Sequence, residues 1–236
     1  MLRKIALALC FTAIPAAAQV PPATGVQVYN LTALPGQIAI KPLGVDLARL
    51  RAIPEALNTK GYDGVFLGRL NPSKGVFDLL LIWKQVVKTR PGSRLAIIGG
   101  GSAESVGELR QRILHSGLYG CVEILGYPRD EEAFGILKKS KVFLFPSREE
   151  GFGIVLLEAI ACGCRAIAWN LSVYDLLFAD AIKRVPLGDV AAFSNAVIDA
   201  LTPNNGSSTK RSASVLEIFS WDSSARRTLA LIEASV

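Results

Sequence analysis

Short apolar runs recur along the chain: Val65 to Leu67, Leu95 to Ile98, Val122 to Leu125, Val142 to Phe145 and Ala166 to Trp169. They are nearly uninterrupted, rich in β-branched and aromatic residues, and end at turn residues. That is the pattern of strands buried on both faces. Ile182 to Val185 predicts a sixth. Between these runs the apolar positions return at helical spacing. One stripe is Val76, Leu79, Leu80, Trp83, Val86 and Val87, and another is Val190, Phe193, Val197 and Leu201. A third is Trp221, Ala225, Leu229, Ile232 and Val236. Each gives a helix one apolar face. Strand and helix in alternation predict an α/β fold: a doubly wound, Rossmann-like parallel sheet with helices on both faces, over about residues 60–203. The polar stretch Thr202 to Thr209 is a loop, and a C-terminal helix follows it. Residues 20–60 show no clear helix–strand unit, and no internal repeat is present.

The first residues break this pattern. Arg3 and Lys4 precede an apolar run from Ile5 to Ile14, then Pro15 and three alanines. This is the layout of a signal peptide, with Ala16 and Ala18 at the key sites. The run is too short for a spanning helix, which needs roughly 20 residues. A remnant of a longer chain and a segment that touches a membrane surface are the other two readings. Residues 1–37 are therefore set apart from a folded domain at 38–236.

Composition narrows the function classes. Of 236 residues, 50% are hydrophobic and 19% charged, which excludes a disordered chain or a coiled coil. Lys and Arg number 26 against 20 Asp and Glu, a net charge of +6 that suits anionic small molecules or a membrane surface. No run of Lys or Arg exceeds two residues, so no nucleic-acid patch is expected. Cys10, Cys121, Cys162 and Cys164 make no disulfide scaffold. With a single histidine, His115, they make no zinc ligand set either. They read as small buried residues, and His115 as a helix-end or surface residue.

In doubly wound sheets, ligands bind beyond the carboxyl ends of the strands. After the first strand, Gly68-Arg69-Leu70-Asn71-Pro72-Ser73-Lys74-Gly75 puts two cations beside a helix start, a seat for a diphosphate. Its glycine spacing is not that of a P-loop. After the second strand, Gly99, Gly100 and Gly101 allow close backbone approach or simply turn the chain. They do not spell the dinucleotide fingerprint, which disfavours a dehydrogenase-like binder. After the fourth strand, Pro146-Ser147-Arg148-Glu149-Glu150-Gly151-Phe152-Gly153 leads into an apolar helix. Its free first-turn amides and dipole favour an anion. Glu158 lies in that helix, flanked by Ile154, Val155, Leu156, Leu157, Ala159 and Ile160, so its carboxylate needs a partner. Glu150 before the helix and Glu158 within it can each accept from sugar hydroxyls on either side of a phosphate.

Together these segments, with Ile124-Leu-Gly-Tyr127 and two glutamates eight residues apart, resemble the C-terminal half of family 4 glycosyltransferases. The resemblance runs from about residue 38 to the end. Gln37 to Asp46 looks like the family's hinge, and Phe219-Ser220-Trp221 like its last helix. It implies two facing Rossmann-like domains, a retaining mechanism and a nucleotide-sugar donor as substrate, with no separate cofactor. Carried over, Arg69 and Lys74 bind the diphosphate and stabilise it as it leaves. Glu150 holds the transferred sugar. Gly68, Gly99, Gly100, Gly151, Phe152, Gly153 and Ile154 offer backbone to the donor. Glu158 takes the ribose hydroxyls, and Tyr127 lies where the family meets the base.

The sequence departs from the family at Gly163-Cys164-Arg165, where Gly-x-Pro is usual. The family's acceptor-binding first domain has no counterpart in residues 1–37. The expectation is thus the donor-binding half of a transferase, completed by an acceptor-binding partner chain or domain. The alternative is a non-catalytic nucleotide-sugar-binding module. A nucleotide-sugar donor implies a cytoplasmic site, with or without membrane-surface association. A genuine signal peptide would imply secretion instead.

Overall fold

Six strands form one parallel sheet in the order β3-β2-β1-β4-β5-β6. They are β1 (Gly64–Leu67), β2 (Leu95–Ile98), β3 (Val122–Gly126), β4 (Val142–Phe145), β5 (Arg165–Trp169) and β6 (Lys183–Val185). This computed structural model describes residues 44–55, 61–178, 180–202 and 215–233. The apolar N-terminal segment, most of the hinge-like stretch before Gly44 and the loop at 203–214 lie outside them. All six expected strands form, within a residue or so of the expected limits. β2 and β4 are buried along their whole length. Parallel strands covered on both faces have no polar side to show, which is why they read as unbroken apolar runs.

The helices are α1 (Leu47–Ala52), α2 (Val76–Thr89), α3 (Ala103–His115), α4 (Asp130–Lys138), α5 (Ile154–Ala161), α6 (Val173–Leu177), α7 (Val190–Leu201) and α8 (Trp221–Glu233). α2 packs on α3 and α7, while α5 packs on α1 and α4, so two separate helix layers flank the sheet. Trp83 of α2, Trp169 of β5 and Phe193 of α7 are fully buried, and Trp169 meets Phe193 edge to face at 4.7 Å. Two helices depart from expectation. α1 falls in the stretch read as having no helix–strand unit. Asp46 caps it, accepting from the Arg49 amide at 2.9 Å, and it buries Leu47 and Leu50. α6 is only five residues long. Neither runs long enough to show a repeat of its apolar stripe.

The chain end is tied to this body beside α1. Val45 and Ser220 form an isolated parallel bridge, the Val45 amide donating to the Phe219 carbonyl at 2.9 Å and the Trp221 amide to the Val45 carbonyl at 3.1 Å. Among the described residues no helix is long and apolar enough to cross a membrane. Cys162 and Cys164 are buried, as expected, and Cys121 is half-buried. His115 ends α3 in an exposed position, its Nδ1 2.8 Å from the Gln111 carbonyl.

Candidate functional site

β1 and β4 are neighbours at the centre of the sheet, and strand order reverses between them. Their following loops diverge there and open a crevice at the carboxyl ends of the strands. It holds about 420 Å³. Gly68, Arg69, Lys74, Tyr127, Glu150, Ile154 and Glu158 line it. Seven of the twelve site residues expected from sequence thus face one cleft.

The loop after β1 is built by two local devices. Asn71 accepts from the Lys74 amide at 3.0 Å and so starts a single turn of 3-10 helix, Pro72–Lys74. Gly75 ends that turn with φ +73°, and a Cβ there would lie 1.8 Å from the Pro146 carbonyl oxygen. Only glycine lets the two loops come this close. Cross-loop bonds then lock them. The Arg148 amide donates to the Ser73 carbonyl at 2.9 Å, and the Arg148 guanidinium pairs with Asp78 at 2.8 Å. Lys74 is delivered to the cleft beside Glu150, while Arg69 leaves the strand end exposed to it. The Arg69 side chain has no hydrogen bond or ion pair among the described residues.

Lys74 Nζ lies 2.5 Å from Glu150 Oε1 and 3.3 Å from the Glu149 carbonyl. The two side chains keep only 17% and 10% of their exposure, so the pair is largely withdrawn from water. Ser147 is fully buried beneath it, with Oγ 2.9 Å from the same Glu150 oxygen. Glu150 Oε2 has no partner among the described residues. Low dielectric strengthens each of these contacts and raises the cost of leaving any of them unmade.

Gly153 opens α5 with φ +84° and no side-chain cap. The first-turn amides are thus left to whatever occupies the cleft. Glu158 follows at the fifth position of α5. It is half-buried, and its carboxylate has no hydrogen-bond or ion-pair partner among the described residues. Burial pushes its carboxyl up to about 7; the charge of Asp130 adds to the rise, and Arg49 opposes it. Glu158 also borders a second cavity of about 320 Å³, lined by Asp46, Arg49, Asp130 and Trp221. Arg49 is not free to neutralise it, because it already pairs with Asp130 at 3.0 Å and Glu131 at 3.3 Å.

The remaining expected residues stand around the cleft rather than in it. Gly99 is buried and Gly100 exposed, and neither lines the cleft. Gly99, at φ +143°, backs onto Gly68, where a Cβ would meet the Gly68 carbonyl oxygen at 1.8 Å. The Gly100 carbonyl accepts from the Leu70 amide at 2.8 Å. Gly99 thus lets the first two loops touch, and a Cβ on Gly101 would likewise meet the Leu70 carbonyl oxygen at 2.5 Å, whereas one on Gly100 would meet nothing within 4 Å. Gly151 is exposed at the loop tip. The Phe152 ring turns inward and meets Phe219 edge to face at 5.6 Å, tying the site loop to the C-terminal segment. Tyr127 stands at the rim and is 84% exposed, an aromatic face held out to solvent.

A family model described as Glycosyl transferases group 1 matches residues 62–203, more than half of the chain and all of the loops just described. This chain belongs to the group 1 glycosyl transferases. Among proteins of this kind it is similar to the GDP-mannose:cellobiosyl-diphosphopolyprenol alpha-mannosyltransferase of Xanthomonas oryzae pv. oryzae. The two are 26% identical over 80% of this chain and 50% of that one. It is 30% identical to the phosphatidyl-myo-inositol mannosyltransferase of Mycolicibacterium smegmatis, over 73% of this chain and 45% of that one. An Anabaena protein, HepE, solved in complex with UDP and glucose, shares the fold at a TM-score of 0.65 and 17% identity, over 81% of this chain and 55% of that one. The chain spans about half the length of the curated relatives it matches.

Within this glycosyltransferase domain, sequence reasoning missed three residues that shape the cleft. Asn71 is the cap that aims Lys74. Ser147 shares the Glu150 oxygen, and its place three residues before the glutamate was the available signal. Tyr174 of α6 is fully buried beneath Gly153 and was hidden inside a helix too short to show a period.

Proposed function

We propose that this domain binds a nucleotide-sugar donor for retaining glycosyl transfer, the acceptor being presented by a second domain or chain. The observation that carries the reading is the meeting of three features in the cleft between β1 and β4. These are an unpaired cation at Arg69, a Lys74–Glu150 pair beside it, and the uncapped start of α5. A diphosphate takes Arg69 and Lys74 as charge-assisted donors and the α5 amides as backbone donors. As the glycosidic bond to the diphosphate breaks, negative charge grows on the leaving phosphate, and the same fixed donors stabilise it. Glu150 accepts from hydroxyls of the transferred sugar, and Glu158 from those of the ribose. Both carboxylates are then satisfied by the ligand. Tyr127 offers a flat face to the base.

The test is calorimetric titration of the purified chain with UDP-, GDP- and ADP-sugars, repeated on Lys74→Ala. At least one donor should bind. Lys74→Ala should weaken that binding by about 1.5–3 kcal/mol, the range for a hydrogen bond to a charged group. No heat and no thermal shift with any of the donors would overturn the proposal. An unchanged affinity in the variant would reduce the basic loop to solvated surface.

A further inference from the structure

Tyr174 carries a hydroxyl with no evident use. Its side chain is fully buried and large, and its Oη makes no hydrogen bond among the described residues. A buried, unpaired O–H costs free energy unless something in the working cycle satisfies it. The ring is held by Phe178, edge to face at 5.5 Å. Its Cε1 lies 3.1 Å from where a Cβ would stand on Gly153, so it supports the glycine turn from below. Glu150 is three residues back along that turn. Burial, with the negative charge of Glu150 adding to it, holds Tyr174 strongly protonated, so the group can only be a neutral donor or acceptor.

Glu150 has the complementary deficit. Lys74 and Ser147 both address Oε1, and Oε2 has no partner among the described residues. If Lys74 serves a diphosphate, as the proposed function requires, its ammonium cannot keep its full hold on Glu150. A diphosphate carries more charge than a carboxylate and is the stronger competitor. A bound sugar also excludes water from a carboxylate that is already nearly buried. Glu150 then needs a donor from the protein, and that donor must not neutralise it.

We propose that Tyr174 is a positioning residue for the donor sugar: its hydroxyl takes up Glu150 when Lys74 turns to the diphosphate, and so holds the carboxylate toward the sugar. This rests on the donor-site reading above. Glu150 touches the sugar, and Tyr174 acts through it.

Tyr174→Phe removes one oxygen and keeps the ring. The test titrates wild type, Tyr174→Phe, Glu150→Gln and the double variant with UDP, UDP-glucose, GDP, GDP-mannose, ADP and ADP-glucose, and records each melting curve. Loss of an unsatisfied buried hydroxyl should leave the melting temperature of Tyr174→Phe unchanged or higher. The Kd for the sugar conjugate that binds should rise about tenfold, the scale of one hydrogen bond to a charged group. The Kd for the matching sugar-free diphosphate should change less than about twofold. In the Glu150→Gln background, Tyr174→Phe should add nothing. Equal affinities for both ligands in wild type and Tyr174→Phe would overturn the proposal and leave the hydroxyl as a structural defect. So would an equal loss for both ligands, or an effect that persists without Glu150. If wild type binds none of the six, the donor-site reading itself fails and this proposal falls with it.

Discussion

At the scale of single residues, the cleft is a set of charges whose partners are incomplete. Arg69 has none, Glu150 has one engaged oxygen, and Glu158 has none among the described residues. A folded protein gains nothing by burying a carboxylate this way; the arrangement makes sense if a ligand completes it. Glu158 allows the cost to be measured. Its carboxyl titrates at about 7 in the fold, against the ordinary glutamate value of 4.5. Between those values the folded chain keeps a proton that the unfolded chain has released. Stability therefore falls as pH rises from about 4.5 to about 7, and the slope levels above that window. Glu158→Gln should flatten this slope and raise the melting temperature at pH 8, read by thermal unfolding across pH 4.5 to 8. The same variant should weaken nucleotide binding at pH 8, because a neutral amide accepts from ribose hydroxyls less strongly than a carboxylate. In wild type, binding should tighten as pH rises through about 7, when Glu158 ionises against the opposing charge of Asp130. A higher melting temperature with unchanged affinity would make Glu158 a buried structural acid and remove it from the site.

At the scale of elements, the cleft depends on loops that approach within a carbonyl's width. Gly75 and Gly92 make a controlled comparison. Both have positive φ, at +73° and +83°, but a Cβ on Gly75 would strike Pro146 while one on Gly92 meets nothing within 4 Å. Gly92→Ala should lose only left-handed strain, about 1 kcal/mol. Gly75→Ala should lose that and the loop contact, about 2–4 kcal/mol in all, and should also impair nucleotide binding. Chemical denaturation midpoints decide it; equal losses would mean the β1 and β4 loops are not held together at Gly75. The same distinction explains what the sequence revealed. The sheet was legible because strands buried on both faces are spelled in apolar letters, and long helices such as α2 and α7 repeat their stripe several times. α1 and α6 turn only once or twice, so Leu47 with Leu50, and Tyr174 with Phe178, never build a period. At the site, Lys74, Glu150 and Glu158 could be placed because their loops follow strand ends. Their partners could not. That Lys74 would pair with Glu150, or that Arg49 would be occupied by Asp130, depends on contacts between segments far apart in sequence. The reach of Gly99 and Gly101 was likewise invisible: their lack of side chains serves the neighbouring loop.

At the scale of the whole molecule, the described residues form one Rossmann-like unit with the cleft between β1 and β4 open along one edge. The second cavity continues past Glu158 toward Arg49 and Trp221, and Trp221 is 65% exposed. The site loop is coupled to this region through Phe152 and Phe219, and Val45, just before α1, through its bridge to Ser220. Transfer needs more than a held donor. The acceptor hydroxyl must be kept about 3–3.5 Å from the reacting carbon, with water shut out. On the proposed function the described residues supply the donor side of that geometry, and none of their surfaces closes over the cleft opposite Arg69 and Glu150. A polypeptide of these 236 residues should therefore bind a nucleotide sugar, hydrolyse it slowly, and transfer the sugar poorly or not at all. Water reaches an open anomeric carbon, and an acceptor free in solution forfeits the orientation on which the rate depends. Adding an acceptor-binding Rossmann-like domain, as a separate chain or fused ahead of residue 38, should restore transfer and suppress hydrolysis together, because one closure accomplishes both. A radiolabelled-donor assay that separates free sugar from glycosylated acceptor measures the two rates at once. Efficient transfer to a defined acceptor by the isolated polypeptide would show that it closes its own cleft and would overturn the two-part reading.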